Sequence, residues 1–257
     1  MKYIAGSFLF GGLAVLGMLA SSVQAQPEPA GFAEIHQVDR PLESRPGETV
    51  RIVNRFGNVR IRAIPDAAQA SMRATIQSTS GDVVPADIQS MQGDEGPIYE
   101  VVSGKSADTL IRVDVVVALP DTSGIDVAME DGDFTMHPAS YPVRIRATAG
   151  SINLRTSGNV DVEVLDGRVT YNPPRDRQPA GGRIKTSGAP VDALLSADAA
   201  LNFRVASGVA VTTDSLELLQ ARTRDGRAVV FSQHDNAPVL EILTDHGPVR
   251  LVLEGHR

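Results

Sequence analysis

The chain has 257 residues, of which 42% are hydrophobic, 21% are charged and 4% are aromatic, and its formal net charge is −7. An acidic chain without a basic run is not typical of a nucleic-acid-binding protein. Because the chain contains no cysteine, disulfides, thiolate catalysis and cysteine-ligated metals are excluded.

The first 25 residues predict a signal peptide. Lys2 precedes an apolar segment, residues 4–20, and Val23-Gln24-Ala25 fits a signal-peptidase site. The alternative is a retained membrane anchor, although the apolar segment is at the short limit for a span. We expect cleavage after Ala25 and an extracytoplasmic protein, either periplasmic or secreted.

The remaining chain predicts a short linker and one β domain. Residues 26–49 are Pro-rich and polar and predict an N-terminal linker or cap. Residues 50–257 predict the domain itself, and residues 82–97 and 172–182, both rich in Pro, Gly, Asp or Gln, predict loops within it.

A short phrase recurs throughout this domain: a glycine, with apolar residues at the second and fourth positions after it. The phrase begins at Gly57, Gly132, Gly150, Gly158, Gly167 and Gly247. Alternation predicts a strand with one buried face, and the glycine predicts a tight corner before it. In this register Ile152, Leu154, Val160, Val162, Val169 and Leu251 face inward, whereas Asn153, Asp161 and Glu163 face outward.

The spacing of these corners predicts the architecture. Several of them recur at intervals of about 18–21 residues, which is typical of stacked repeats. We therefore expect an all-β fold, a single-stranded parallel β-helix or β-solenoid. An antiparallel sandwich is the alternative, but the Asn-Gly and Asp-Gly dipeptides that favour hairpins are few. Recurrent Thr-Ser-Gly, as at residues 156–158 and 186–188, predicts a ladder of polar corners.

Two longer segments resemble a known family. Residues 112–136 (RVDVVVALPDTSGIDVAMEDGDFTM) and 151–171 (SINLRTSGNVDVEVLDGRVTY) resemble the bacterial putative adhesin family, a domain of unknown function. Residues 52–63 (IVNRFGNVRIRA) resemble the usual opening of that family. The resemblance covers residues 50–253 and implies an extracytoplasmic parallel β-solenoid. It implies no catalytic residue, since the family has none to carry over.

Arginines in the outward phase of the predicted strands form a candidate ligand surface. These arginines are Arg60, Arg62, Arg144, Arg146, Arg155 and Arg168. A guanidinium group suits bidentate binding of carboxylate or phosphate, which favours an acidic glycan. The alternative is internal pairing, because Asp161 and Glu163 occupy the same outward phase on a nearby strand.

Candidate catalytic and metal-binding residues are sparse. Glu130-Asp131-Gly132-Asp133 supplies carboxylates for glycoside hydrolysis or calcium binding, but a solvated corner is the simpler interpretation. His234, His246 and His256 lack the convergent ligands of a metal site in sequence. We therefore expect no catalytic residues, no cofactor and no metal.

The sequence favours a non-enzymatic binding or surface scaffold, adhesin-like, with an unidentified partner such as a cell-envelope glycan or protein. One alternative is a carbohydrate-active β-helix enzyme, a hydrolase or lyase, that acts on an acidic polysaccharide. A second alternative is a self-assembling structural module of the envelope. The strand at residues 249–253 runs almost to the C-terminus, so its free edge is a candidate for self-association unless the strand folds back into the sheet.

Overall fold

The computed structural model describes residues 34–45, 47–64, 68–78, 86–103, 111–121, 123–232 and 235–254. The predicted signal peptide, His234 and His256 lie outside these described residues. Within the described ranges, no helix combines the length and the apolar character needed to cross a membrane.

The described residues form 20 strands and one short helix. In chain order, the first ten strands are β1 (Glu34–Pro41), β2 (Thr49–Phe56), β3 (Val59–Ile64), β4 (Ser71–Ser78), β5 (Ala86–Gln92), β6 (Pro97–Ser103), β7 (Ile111–Pro120), β8 (Gly124–Asp131), β9 (Phe134–Met136) and β10 (Val143–Ala149). The following elements are β11 (Ser151–Leu154), β12 (Val160–Val164), β13 (Arg168–Tyr171), β14 (Gly182–Thr186), β15 (Val191–Ser196), β16 (Asn202–Ser207), β17 (Val211–Thr213), α1 (Leu216–Gln220), β18 (Ala228–Phe231), β19 (Val239–Thr244) and β20 (Val249–Glu254).

The strands form two ten-stranded sheets. Sheet A has the order β1-β4-β7-β3-β9-β11-β13-β15-β20-β17, and sheet B has the order β18-β16-β19-β14-β12-β10-β8-β2-β6-β5. From β8 to β15, successive strands alternate between the sheets, and neighbours within each sheet are parallel. The predicted all-β class is therefore confirmed.

Parallel pairing does not extend over the whole domain. The pairs β1–β4, β4–β7, β5–β6 and β16–β18 are antiparallel, so both sheets are mixed.

The expected loop at residues 82–97 is wrong for residues 86–92, which form β5. This strand is polar because it lies at the edge of sheet B, and only Ile88 of its described side chains is buried. Within the expected linker, residues 34–41 form β1, at an edge of sheet A. Residues 172–181 lie outside the strands, as expected for the second loop.

The C-terminal strand is not an edge strand. β20 pairs with β15 on one side and with β17 on the other, and β19 lies between β14 and β16 in the same way. The expected free edge is therefore wrong for residues 249–251 of β20, because β15 pairs with them on one side and β17 on the other. The chain folds back and inserts its last two strands into the two sheets.

One hydrophobic cluster joins the inward faces of both sheets and consists mainly of Val, Ile and Leu. The six residues predicted to face inward are at most 1% exposed. Asn153 and Glu163 are exposed and Asp161 is partly exposed, so the predicted register is confirmed.

The repeated glycines stack at one corner of the fold. Gly57, Gly132, Gly150 and Gly167 have φ values of 124°, 140°, 126° and 114°. At each of the last three, a Cβ atom would collide with the carbonyl oxygen of the preceding glycine in this series. Only glycine satisfies both the backbone conformation and the close approach, which explains the glycine at these corners.

Buried hydroxyl groups donate hydrogen bonds to the backbone at a second set of corners. Thr186, Thr244 and Ser207 are neighbours in register across sheet B. Thr186 Oγ1 donates to the Ala189 carbonyl at 2.7 Å, and Ser207 Oγ donates to the Gly247 carbonyl at 2.8 Å. In the other named motif, Thr156 Oγ1 donates to the Tyr141 carbonyl at 2.8 Å. The predicted polar corners are thus confirmed at residues 156–158 and 186–188, because these hydroxyls pair with backbone groups.

Candidate ligand surfaces

The six candidate arginines do not form one surface. Arg60 and Arg62 lie on β3 and Arg168 lies on β13, all in sheet A, and Arg155 follows β11 of the same sheet. Arg144 and Arg146 lie on β10 in sheet B. The two sheets therefore present separate sets of arginines, which differ in their ionic partners.

A row of alternating charges crosses the outer face of sheet B. It consists of Arg51, Asp126, Arg144, Asp161, Arg183, Glu241 and Arg204, which occupy matched register positions on consecutive strands. We call this set the charge row. Arg144 Nε is 3.4 Å from Asp161 Oδ2, and Arg183 Nε is 3.3 Å from Glu241 Oε2. The alternative of internal cross-strand pairing is therefore correct for Arg144.

A cleft opens at one end of the charge row, where the turn between β5 and β6 overhangs sheet B. Its volume is about 550 Å³, and it is lined by Thr49, Arg51, Gly93, Asp94, Glu95, Gly96, Ile98, Asp126, Arg144 and Arg146. We call it the Asp126 cleft. Glu95 on the turn reaches Arg144 on β10, with 3.1 Å between Oε2 and Nη1. This contact spans β2 and β8, which lie between β6 and β10.

Asp126 lies in this cleft with an unusual set of neighbours. Its side chain is only 7% exposed, and Arg51, Arg144 and Arg146 approach its carboxylate to 3.9, 4.0 and 3.9 Å. None of these contacts is a hydrogen bond, and no other described residue donates one to the carboxylate. Burial raises the pKa of the Asp126 carboxyl above its usual value, since the loss of solvent outweighs the attraction of the three arginines.

A basic patch lies on the outer face of sheet A. Arg60 pairs with Thr135, and Asn153 pairs with the same Thr135. Arg62 lies two residues further along β3, and His137 and Arg155 directly follow the ends of β9 and β11, the next two strands of sheet A. We call Arg60, Arg62, His137 and Arg155 the basic patch. All four are exposed, and no carboxylate of the described residues forms an ion pair with them. Arg168 is separate from this patch, since it pairs with Asp192 at 3.1 Å.

Asp133 of the candidate carboxylate cluster has a structural role. Asp133 Oδ1 accepts a hydrogen bond from the Ser151 N–H at 2.9 Å, and the Asp133 N–H donates to Asn58 Oδ1 at 2.9 Å. Asp133 therefore links successive corners of the fold. Among the described residues, no group of three or more His, Asp or Glu side chains could hold a metal ion.

Neither a protein-family model nor a curated protein sequence matches the chain. Its fold is similar to that of a solved structure of a bacterial protein described as a putative cell adhesion protein. A putative cell adhesion protein from Clostridium sporogenes shares 12% identity with a TM-score of 0.50, over 86% of this chain and 100% of that chain. The chain therefore shares its fold with this putative cell adhesion protein.

A putative adhesin from Bacteroides fragilis shares 10% identity over 86% of this chain and 98% of that chain, with a TM-score of 0.38. The Clostridium sporogenes protein, with its higher TM-score, shows the fold of this chain. The resemblance predicted from sequence is confirmed at the level of the fold.

The sequence indicated only part of these surfaces. It singled out the arginines by their outward phase, but it did not identify Arg51, Glu95 or Asp126. The available signal was an outward carboxylate, Asp126, flanked by apolar residues in the segment Gly124–Met129. Its arginine neighbours come from strands whose pairing only the structure reveals.

Proposed function

We propose that this protein is a non-enzymatic, extracytoplasmic, adhesin-like binding scaffold whose basic patch holds an acidic glycan. The main observation is that Arg60, Arg62 and Arg155 lie on or directly beside neighbouring strands of sheet A, are exposed and have no ionic partner among the described residues. Most of the other described arginines in the strands pair with carboxylates. A free guanidinium group retains its full capacity to bind carboxylate or sulfate groups of a polymer.

The proposed scaffold is a parallel β-solenoid between antiparallel ends. Successive strands from β8 to β15 alternate between the sheets, and each pairs in register with the equivalent strand of the next turn. Such a stack presents flat faces on which side chains recur at the strand spacing of about 4.8 Å. A flat face with regularly spaced donors suits an extended polymer better than a small molecule.

The proposed location and adhesin-like role have separate support. The predicted signal peptide supports export from the cytoplasm. The similar fold of the Clostridium sporogenes protein, which is described as a putative cell adhesion protein, favours a binding role. Asp133 is engaged in backbone hydrogen bonds at a corner, which favours a scaffold over a carbohydrate-active enzyme.

Binding of polygalacturonate to the mature protein tests this proposal. In one variant, Arg60, Arg62 and Arg155 are each changed to Gln. The matched control changes Arg168, Arg183 and Arg204 to Gln, which removes the same charge from arginines that have carboxylate partners. We expect the first variant to bind at least ~10-fold more weakly, since it loses several charge-assisted hydrogen bonds. The control should bind like the wild type.

Equal loss of binding in both variants would show that net charge, rather than the basic patch, holds the polymer. An absence of binding by the wild type would refute the proposed ligand class. The same incubations report on catalysis, because release of new reducing ends or unsaturated products would contradict a non-enzymatic role.

A further inference from the structure

We propose that the Asp126 cleft is a second binding site, which takes a neutral saccharide unit through adjacent hydroxyl groups. This site lies on sheet B, whereas the basic patch lies on sheet A. It differs from the patch in the chemistry of its ligand and does not depend on the function proposed above.

The charge balance of the cleft favours a neutral ligand. Three arginines, Arg51, Arg144 and Arg146, line it together with three acidic residues, Asp94, Glu95 and Asp126. An anionic ligand would meet Asp126 and Glu95, and a cationic ligand would meet the guanidinium groups. A neutral group that both donates and accepts hydrogen bonds satisfies both kinds of side chain.

The distances around Asp126 fit hydroxyl groups. An ionised carboxylate can accept about four hydrogen bonds, and this one receives none from the described residues. The guanidinium nitrogens stand 3.9–4.0 Å from its oxygens, which is too far for a direct hydrogen bond. A hydroxyl oxygen between the two groups, at about 2.8 Å from each, spans such a gap by accepting from arginine and donating to aspartate. Adjacent hydroxyls on a sugar ring can repeat this arrangement.

The walls of the cleft are held in place by the fold. Asp126, Arg51 and Arg144 project from neighbouring strands in the interior of sheet B. The turn that carries Glu95 is tied to the sheet, since the Thr49 N–H donates to the Glu95 carbonyl at 3.2 Å. Ile98 supplies an apolar contact for the carbon face of a ring. The volume of about 550 Å³ lies in the usual range of small-molecule sites.

Saturation-transfer NMR with glucose, galactose, mannose and N-acetylglucosamine tests the proposal on the mature protein. We expect transfer to at least one of these sugars at millimolar concentration. Asp126→Asn should weaken binding at least ~10-fold, since hydrogen bonds to a charged group are lost. The control is Asp192→Asn, which removes a carboxylate that pairs with an arginine on sheet A, and it should bind like the wild type.

Arg146→Gln provides a second variant, which leaves the buried carboxylate in place. Its side chain is 53% exposed, so its removal should leave the fold intact while weakening sugar binding. If none of the four sugars binds, or if both cleft variants bind as tightly as the wild type, the proposal is wrong. Polygalacturonate binding should be unchanged in Asp126→Asn. The two proposed sites can therefore be tested separately.

Discussion

Glu241 on β19 faces Arg183 on β14 across sheet B, with 3.3 Å between Oε2 and Nε. This contact exists because β19 is inserted between β14 and β16 instead of stacking in chain order. In chain order, Arg183 and Arg204 would lie on adjacent strands, where like charges destabilise pairing. The fold-back places a glutamate between the two arginines, so the outward charges agree with the observed strand order.

Glu241→Lys should destabilise the protein by roughly 1 kcal/mol or more. The substitution places three cations in a row and replaces two favourable cross-strand pairs with two unfavourable ones. Thermal unfolding at low and high salt measures the effect, because added salt should reduce it. Glu241→Gln is the control, since it removes the attraction without adding repulsion, and its cost should be smaller. A loss of stability in Glu241→Lys that does not respond to salt would contradict an electrostatic origin.

Gly150→Ala should destabilise the protein by at least ~2 kcal/mol from backbone conformation alone. Its φ of 126° is unfavourable for alanine, and the new Cβ would collide with the Gly132 carbonyl oxygen. Gly188→Ala is a matched control, because the nearest atoms to a Cβ there are 3.5 and 3.6 Å away. The midpoints of chemical denaturation of the two variants measure this difference. Similar midpoints would refute the stacked-glycine explanation.

The sequence predicted the local features of the fold because these features depend on residues that are close together in sequence. Alternation after each glycine correctly gave the buried residues, such as Val162, and the outward ones, such as Glu163. A corner glycine and a two-residue period need only a few residues to specify them. For the same reason the polar corner at Thr186 could be expected.

The order of the strands in each sheet could not be predicted from such short stretches of sequence. Insertion of β20 between β15 and β17 brings together segments that are distant in sequence, and the apolar alternation of β20 is the same in an edge strand as in an interior strand. The Asp126 cleft was missed for a related reason. Its three arginines come from β2 and β10, and Glu95 comes from a turn that sequence analysis assigned to a structureless loop.

Tyr171→Phe should leave stability unchanged or raise it. The Tyr171 hydroxyl is buried and has no hydrogen-bond partner in the described structure, so its removal eliminates an uncompensated desolvation cost. Tyr99→Phe is the matched control, because the Tyr99 hydroxyl accepts a hydrogen bond from the Glu43 N–H at 2.6 Å. That variant should lose about 1 kcal/mol. The calorimetric melting temperature should therefore fall for Tyr99→Phe but not for Tyr171→Phe, and equal decreases would contradict this assignment.

Val252→Pro should unfold the C-terminal part of the domain and leave the oligomeric state of any remaining folded protein unchanged. Val252 pairs with Leu194 in the interior of sheet A, and proline removes a backbone donor and clashes within a central strand. Circular dichroism and sedimentation velocity distinguish this outcome from loss of an intermolecular contact. A variant that keeps its full strand content but changes from oligomer to monomer would restore the free-edge hypothesis.

Asp126 should stabilise the fold more as the pH decreases, unlike most carboxylates. Burial raises the pKa of Asp126 in the folded state. Between this pKa and the lower value of the unfolded chain, near 3.9, the folded state binds more protons than the unfolded state. The free energy of unfolding contributed by this residue therefore rises as the pH falls through the folded pKa. The difference in melting temperature between wild type and Asp126→Asn should shift in favour of the wild type on acidification from neutral pH.

The contribution of Asp121 to stability should change with pH in the opposite direction to that of Asp126. Burial acts to raise its pKa, but hydrogen bonds from the Ser140 N–H and hydroxyl, both at 2.8 Å, and from Arg177 at 3.0 Å outweigh burial and lower the pKa. Its stabilising contribution is present above the unfolded pKa and is lost as the pH falls through the folded one. The advantage of wild type over Asp121→Asn should therefore shrink over the same acid range. If both variants showed the same trend, the arginines around Asp126 would outweigh its burial, and the carboxylate would behave as an ordinary member of the charge row.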